Sequence, residues 1–173
     1  RRGFAPPRGG GGILAICSEV RPAGRPFGGV ELVSPNRILV PVDGGVLDEQ
    51  MVGLACDLAK SPQARLYAVH VIEVRRALPL EIDLPAEVDR GEKILQRAEE
   101  VARRHRREIE TELLQARDAG TAIVEEAERR SVDLIVMGLR YKKRYDQFHL
   151  GDTAMYVLRN ATCWVYLCRE PIG

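Results

Sequence analysis

Long hydrophobic runs are missing from this sequence: none approaches the roughly 18 to 20 residues that cross a bilayer. The cluster Ile13-Leu14-Ala15-Ile16-Cys17 is too short even for the core of a signal peptide. No direct membrane insertion is expected. A strong net charge is missing too, since the formal value is +1, so charge as a whole argues for neither a nucleic acid nor an anionic membrane as partner. The four cysteines, Cys17, Cys56, Cys163 and Cys168, include no Cys-x-x-Cys pair. The last two are an odd number of positions apart, which on a strand puts them on opposite faces. Disulfides and metal are not expected, and a reduced, cytoplasmic setting fits. His70 falls inside an apolar strand pattern and His105 on an apolar helical stripe, without Cys, Asp or Glu at ligand spacing, so both read as packed core residues. No Ser-His-Asp set or positioned base is visible, and no catalytic residue is assigned.

What is present suits one domain of about 130 to 150 residues with an appendage. Residues 1–36 are rich in Gly, Pro and Arg and offer little apolar surface to offset ordering entropy, so they read as a flexible leader or linker. Gly9 to Gly12 do not make a phosphate cradle, because no strand precedes them, no helix follows and no Lys-Ser/Thr pair closes the run.

From Arg37 the pattern alternates. Ile38-Leu39-Val40-Pro41-Val42 is a short apolar run that predicts a strand buried on both faces, ending at the turn Asp43-Gly44-Gly45. Leu47, Met51, Leu54, Ala55 and Leu58 then recur at helical spacing until Ser61-Pro62. A second strand spans Arg65 to Val74. A proline-punctuated loop leads to a long helix from about Ala86 to Arg106, whose closing cations suit the helix macrodipole better than a nucleic acid. In the third strand, Glu108 to Leu114, glutamates alternate with Ile109, Thr111 and Leu113, which predicts a margin with one face in water. A helix from about Ala119 to Arg130 precedes a fourth buried strand, Asp133 to Met137, with Gly138 expected to mark a turn at its carboxyl end. A loop rich in cations and tyrosine follows. Gly151 opens a short helix with Asp152 as its expected N-cap, and Cys163 to Cys168 forms the last strand. Strict alternation of strands and helices predicts an α/β fold, a parallel sheet with helices on both faces.

Placed in that order, four segments resemble the universal stress protein family over about Arg37 to Glu170. They are Ile38-Leu39-Val40-Pro41-Val42-Asp43-Gly44, Val69-His70-Val71-Ile72-Glu73, Asp133-Leu134-Ile135-Val136-Met137-Gly138, and Gly151 with its helix and Ala161-Thr162-Cys163-Trp164-Val165-Tyr166-Leu167. The resemblance implies a universal stress protein domain over residues 37–173. Its sheet would be five-stranded and parallel, order 3-2-1-4-5, of the adenine nucleotide alpha hydrolase-like type, and the charged third strand at one margin supports that order independently. The topological switch point then lies between strands one and four, where such sheets bind ligands.

The family's ATP-binding members carry a motif of glycine, two residues, glycine, nine residues, then glycine and a hydroxyl residue. Gly138 and Gly151 hold its first and last glycine positions. The resemblance maps Pro41 and Asp43 near the adenosine, Val71 and Met137 onto its apolar walls, and Thr153 and Ala154 onto the helix start by the phosphates. Asp43 is equally readable as an Asx turn with Gly44. Tyr141 stands at the middle glycine, where a side chain crowds a phosphate, and Asp152 replaces the hydroxyl with a carboxylate that satisfies the helix amides itself. Arg140, Lys142, Lys143 and Arg144 could supply the phosphate contacts so lost, and Tyr141 or Tyr145 could stack on a base. The implied ligand is ATP or another adenine nucleotide (AMP or cyclic di-AMP), with magnesium only if ATP binds.

Two readings follow from this. One is a non-enzymatic, nucleotide-binding regulatory domain, with weak nucleotide hydrolysis left open. The other is an interaction module without nucleotide, acting on a stress-response or transporter partner. The loop around Tyr141, the Phe148-His149-Leu150-Gly151-Asp152-Thr153 entry and Tyr156-Val157-Leu158-Arg159-Asn160-Ala161 are similar to the family branch associated with amino-acid permeases, which makes residues 1–36 readable as a tether. In either reading Thr162 to Cys168, an edge strand without charge or proline, predicts a homodimer by twofold pairing of that strand.

Overall fold

In the computed structural model, residues 13–16, 35–139, 143–144, 147–148 and 150–169 are described. The elements run β1 (Ile13–Ile16), β2 (Arg37–Pro41), α1 (Asp48–Leu58), β3 (Arg65–Glu73), α2 (Pro85–Arg104), β4 (Glu110–Ala116), α3 (Ala119–Arg129) and β5 (Leu134–Leu139). The two-residue strands β6 (Lys143–Arg144) and β7 (Gln147–Phe148) form a small antiparallel ladder inside what the sequence suggests is a plain loop. Then come α4 (Asp152–Asn160) and β8 (Trp164–Arg169).

The main sheet has the order β1-β8-β5-β2-β3-β4. Its five parallel strands, β4, β3, β2, β5 and β8, stand in the expected order 3-2-1-4-5. Alternate residues feed two cores, as the period of two in a doubly covered strand demands. Ile38, Val40, Leu66, Ala68, Leu134 and Val136 pack with α1 and α2, while Leu39, Tyr67, Val69, Ile135, Met137 and Val165 pack with α3 and α4. Each of the larger of these side chains, fully buried, stabilises the fold by about 1.5–3 kcal/mol relative to exposure. Cys168 belongs to the first core and Cys163 packs against the second, so the odd spacing of the pair does split them between faces.

The sixth strand departs from the sequence-based expectation. Within the segment read as a flexible leader, Ile13–Ile16 runs antiparallel along β8, from Ile13 opposite Cys168 to Ile16 opposite Val165. A short apolar run satisfies the ladder of an apolar edge, which is the physical requirement that the sequence assigned to a second copy. A second copy would have to displace β1 to pair at the same residues. The rest of residues 1–34 lies outside the described residues.

At the far margin β4 behaves as its glutamates predict. Arg130, just past α3, reaches Glu110 (3.0 Å) and Glu112 (2.8 Å), bonds to Glu126, and lies 4.5 Å from the centre of the Tyr67 ring. Glu126 is 4% exposed and takes two hydrogen bonds from Arg129 as well. Its burial works to raise the carboxyl, and the hydrogen bonds and charges of Arg129 and Arg130 outweigh that and hold it below its ordinary value. His105 is no core residue, contrary to its reading from the helical stripe. It caps the carboxyl end of α2 with its side chain 36% exposed and faces Asp57 at 3.2 Å. No helix among the described residues is long and apolar enough to cross a membrane.

Candidate functional site

The ladder between β2 and β5 pairs only Ile38 with Leu134 and Leu39 with Ile135. By contrast β2 stays paired to β3 as far as Pro41, and β5 to β8 as far as Leu139. The sheet therefore parts at the carboxyl ends of its two central strands, where the order of successive strands reverses across the sheet. Pro41 suits that place. Val42 donates its N–H to Val69 on β3 (2.9 Å), so the preceding residue faces β5, where no ladder remains to need the donor that proline lacks.

Beyond the parting lies a cavity of about 640 Å³, within the usual range of about 300–1,000 Å³ for small-molecule sites. Of the nine residues singled out from the sequence, Pro41, Asp43, Val71, Met137, Gly138, Gly151 and Thr153 line it together. Asp152 does not line it, and Arg140, like Tyr141 and Lys142, lies outside the described residues.

Each wall has a local cause. The Asp43-Gly44 turn is set by Gly44, whose φ of 84° disfavours any L side chain. It is pinned by Asp48 in the first turn of α1, whose Oδ2 accepts from the amides of Gly44 (2.7 Å) and Asp43 (3.1 Å). Burial raises the Asp48 carboxyl above its ordinary value, opposed by the Gly44 bond and helped by the Asp43 charge. The pin is thus a carboxylate held at some cost in order to fix Asp43 at the cavity edge. Gly138 is not the turn its position suggested, because β5 continues through Leu139. A Cβ at Gly138 would lie 2.8 Å from Leu47 Cβ, so a glycine is required here by the close approach of the residue that starts α1.

Two helix N-termini face the cavity, through Ala119 of α3 and through Gly151, Thr153 and Ala154 of α4. That of α3 is filled by the chain's own acids: Asp118 accepts from Thr121 N (2.8 Å), and Glu73, at the end of β3, accepts from Ala119 N (2.9 Å). At α4 the N-cap is Gly151, with φ −64° and ψ 157°. Asp152, expected as the cap, is the exposed first residue of the helix, because the extended backbone falls one position earlier. The place of an anion at that end is therefore not taken by an N-cap side chain.

Sequence reasoning missed two groups. His70 is partly buried rather than packed away, lines the cavity, and bonds through Nδ1 to the Val42 carbonyl at 2.8 Å. A carbonyl only accepts, so Nδ1 carries the proton and Nε2 is the acceptor in the neutral ring. The second group is the segment after β3, which brings Val74, Arg75, Leu78 and Leu84 to the wall, and α2 adds Glu87 and Arg90. The prolines there signal a loop and carry no sign of which way it folds.

A doubly wound parallel sheet, with a cavity of mixed apolar and charged lining at its switch point and a helix N-terminus opening on it, defines the class of α/β proteins that hold a small ligand at the carboxyl ends of their strands. Residues 35–169 match the universal stress protein family, and the chain belongs to that family. A universal stress protein of Methanocaldococcus jannaschii, MJ0531, is 33% identical over 142 residues, covering 79% of this chain and 83% of that protein. The universal stress protein from Archaeoglobus fulgidus in complex with dAMP superposes with a TM-score of 0.61 at 22% identity, covering 76% of this chain and 96% of the other. A universal stress protein in complex with cAMP gives 0.58 at 20% identity, covering 77% and 95%. At those identities the superpositions speak for the fold, and the family assignment carries no branch, permease-associated or other, with it.

Proposed function

We propose that this chain is a regulatory domain that binds an adenine nucleotide in the cavity between β2 and β5. The observation that carries the reading is the convergence of Pro41, Asp43, Val71, Met137, Gly138, Gly151 and Thr153, far apart in sequence, on one cavity of nucleotide size. In this reading Asp43 accepts hydrogen bonds from the ribose, Val71 and Met137 flank the base, and the phosphate lies toward the start of α4 near Gly151 and Thr153. Relatives of the same fold in complex with dAMP and cAMP support an adenine mononucleotide as the first candidate. ATP would bring magnesium with it. The role is regulatory rather than catalytic, and a homodimer or a transporter partner would act through surfaces outside the cavity.

Isothermal titration of protein stripped of carried-over nucleotide, with AMP and with ATP plus magnesium, tests the reading. Binding on the order of micromolar or tighter, weakened at least tenfold by Asp43→Ala, is expected. No heat and no thermal shift at millimolar ligand would leave the interaction module without nucleotide as the function.

A further inference from the structure

The wall of the cavity on the β3 side has no regular structure of its own. Between the end of β3 and the start of α2 the chain makes few internal backbone bonds, from Leu78 N to Arg75 O (3.0 Å) and from Ile82 N to Pro79 O (3.4 Å). It is held instead from outside, first by the backbone bond from Val74 N to Ala116 O (2.8 Å) and beyond that by two side chains at the end of the neighbouring edge strand. Arg117 donates through Nη1 to the carbonyls of Val74 (3.3 Å) and Arg75 (2.5 Å), and through Nη2 to Leu78 (2.7 Å). Gln115 donates through Nε2 to Leu80 (2.9 Å) and Ile82 (2.8 Å). Every bond in this strap is made to a main-chain carbonyl. It therefore fixes the path of the backbone without engaging the loop side chains, and Arg75 and Leu78 of the loop are among the residues that line the cavity. Arg117 and Gln115 are not themselves among the lining residues.

We propose that Arg117 and Gln115 are positioning residues that set the selectivity of the cavity for the base end of its ligand. The inference rests on the nucleotide reading, which puts the phosphate toward α4 on the β5 side and the base toward Val71 on β3. The strapped wall is then the surface the base meets beyond Val71, and its position decides whether a purine fills the space or rattles in it. A fixed wall contributes by preorganisation, since a loop that must be ordered by the ligand subtracts that ordering from the affinity. Base discrimination follows from the same cause, because only the larger ring system reaches the wall.

The test uses three variants of the full chain: Arg117→Ala, Gln115→Ala and, as a control, Arg107→Ala. Arg107 also donates to main-chain carbonyls, those of Ser61 (3.0 Å) and Ala59, but in a loop away from the cavity. For Arg117→Ala we expect faster amide hydrogen exchange across residues 74–84, AMP affinity lower by about tenfold, and UMP affinity nearly unchanged, so that the preference for AMP shrinks. Gln115→Ala should do the same to a smaller degree. Arg107→Ala should lower the melting temperature and leave both affinities alone. Equal losses for AMP and UMP, or equal losses in the Arg107 and Arg117 variants, would overturn the assignment. If the wild-type chain binds neither nucleotide, the nucleotide reading falls and the selectivity role with it. The exchange measurement then still decides whether Arg117 holds the loop, and unchanged exchange would refute the strap as well.

Discussion

Replacing Gly138 by alanine adds one methyl group at the tightest junction of the site. The new Cβ would lie 2.8 Å from Leu47 Cβ, 3.2 Å from Leu47 Cδ1 and 3.3 Å from Met51 Cγ. Small side-chain shifts of a few tenths of an ångström can ease the last two, even with both residues only 5% exposed, but Leu47 Cβ is fixed to the backbone and cannot turn away. The start of α1 must therefore move. Overpacking of this kind costs about 1–3 kcal/mol, which for a chain of this size lowers the melting temperature by very roughly 2–12 °C. Urea unfolding should show the midpoint falling by about 1 M with the slope unchanged. The displacement also carries Asp48, and with it the pinned amides of Asp43 and Gly44, so nucleotide affinity should fall together with stability. Gly151→Ala is the contrast, because nothing lies within 4 Å of its Cβ position and only a cap preference of about 0.5–1 kcal/mol is at stake. A Gly138→Ala midpoint equal to wild type, or equal to that of Gly151→Ala, would refute the packing argument.

Two more predictions concern stability and reactivity. Glu126→Ala should cost about 1–3 kcal/mol by leaving Arg129 and Arg130 without their shared acceptor. Because the folded state holds the Glu126 carboxyl below its ordinary value, its contribution is present at neutral pH and disappears as the pH falls through that lowered value, so chemical denaturation should find wild type and Glu126→Gln converging in acid. Burial pushes the Cys56 and Cys163 thiols up to about 11, so both should resist alkylation at pH 8 and react on unfolding, as followed by mass spectrometry. Fast labelling of either in the native protein would contradict the packing described.

The sheet was legible in the sequence because its signals are local and redundant. Short uncharged runs marked the buried strands, two of them leading into glycine at Gly44 and Gly138, the alternating glutamates of β4 marked a margin, and Ser61-Pro62 closed α1 within a few residues of its true end. The helical stripe misplaced His105, because α2 stops at Arg104 and the ring turns toward Asp57 across the gap to α1. Asp152 was misassigned for a similar reason, since the cap is set by where the extended backbone ends, and composition does not locate that to one residue. The strand at Ile13–Ile16 was hidden by its surroundings. Four apolar residues within a Gly, Pro and Arg-rich stretch signal nothing until β8 is known to offer them an open ladder. The strap was beyond reach altogether, because Arg117 and Gln115 donate only to carbonyls, which every residue has, and the sequence holds no trace of such partners.

The edge where β1 meets β8 also supplies an optical handle. Trp164 is the chain's only tryptophan. It opens β8, is 41% exposed, and stands next to Val165, the last position that β1 covers. Its emission therefore reads one end of the sheet with no label and no competing indole. Anything that peels Ile13–Ile16 away, or lays another strand over the same ladder, changes the solvent around that ring and should shift its spectrum and its access to acrylamide. Ligand entering the cavity between β2 and β5, on the far side of a buried strand, should leave it dark to the event.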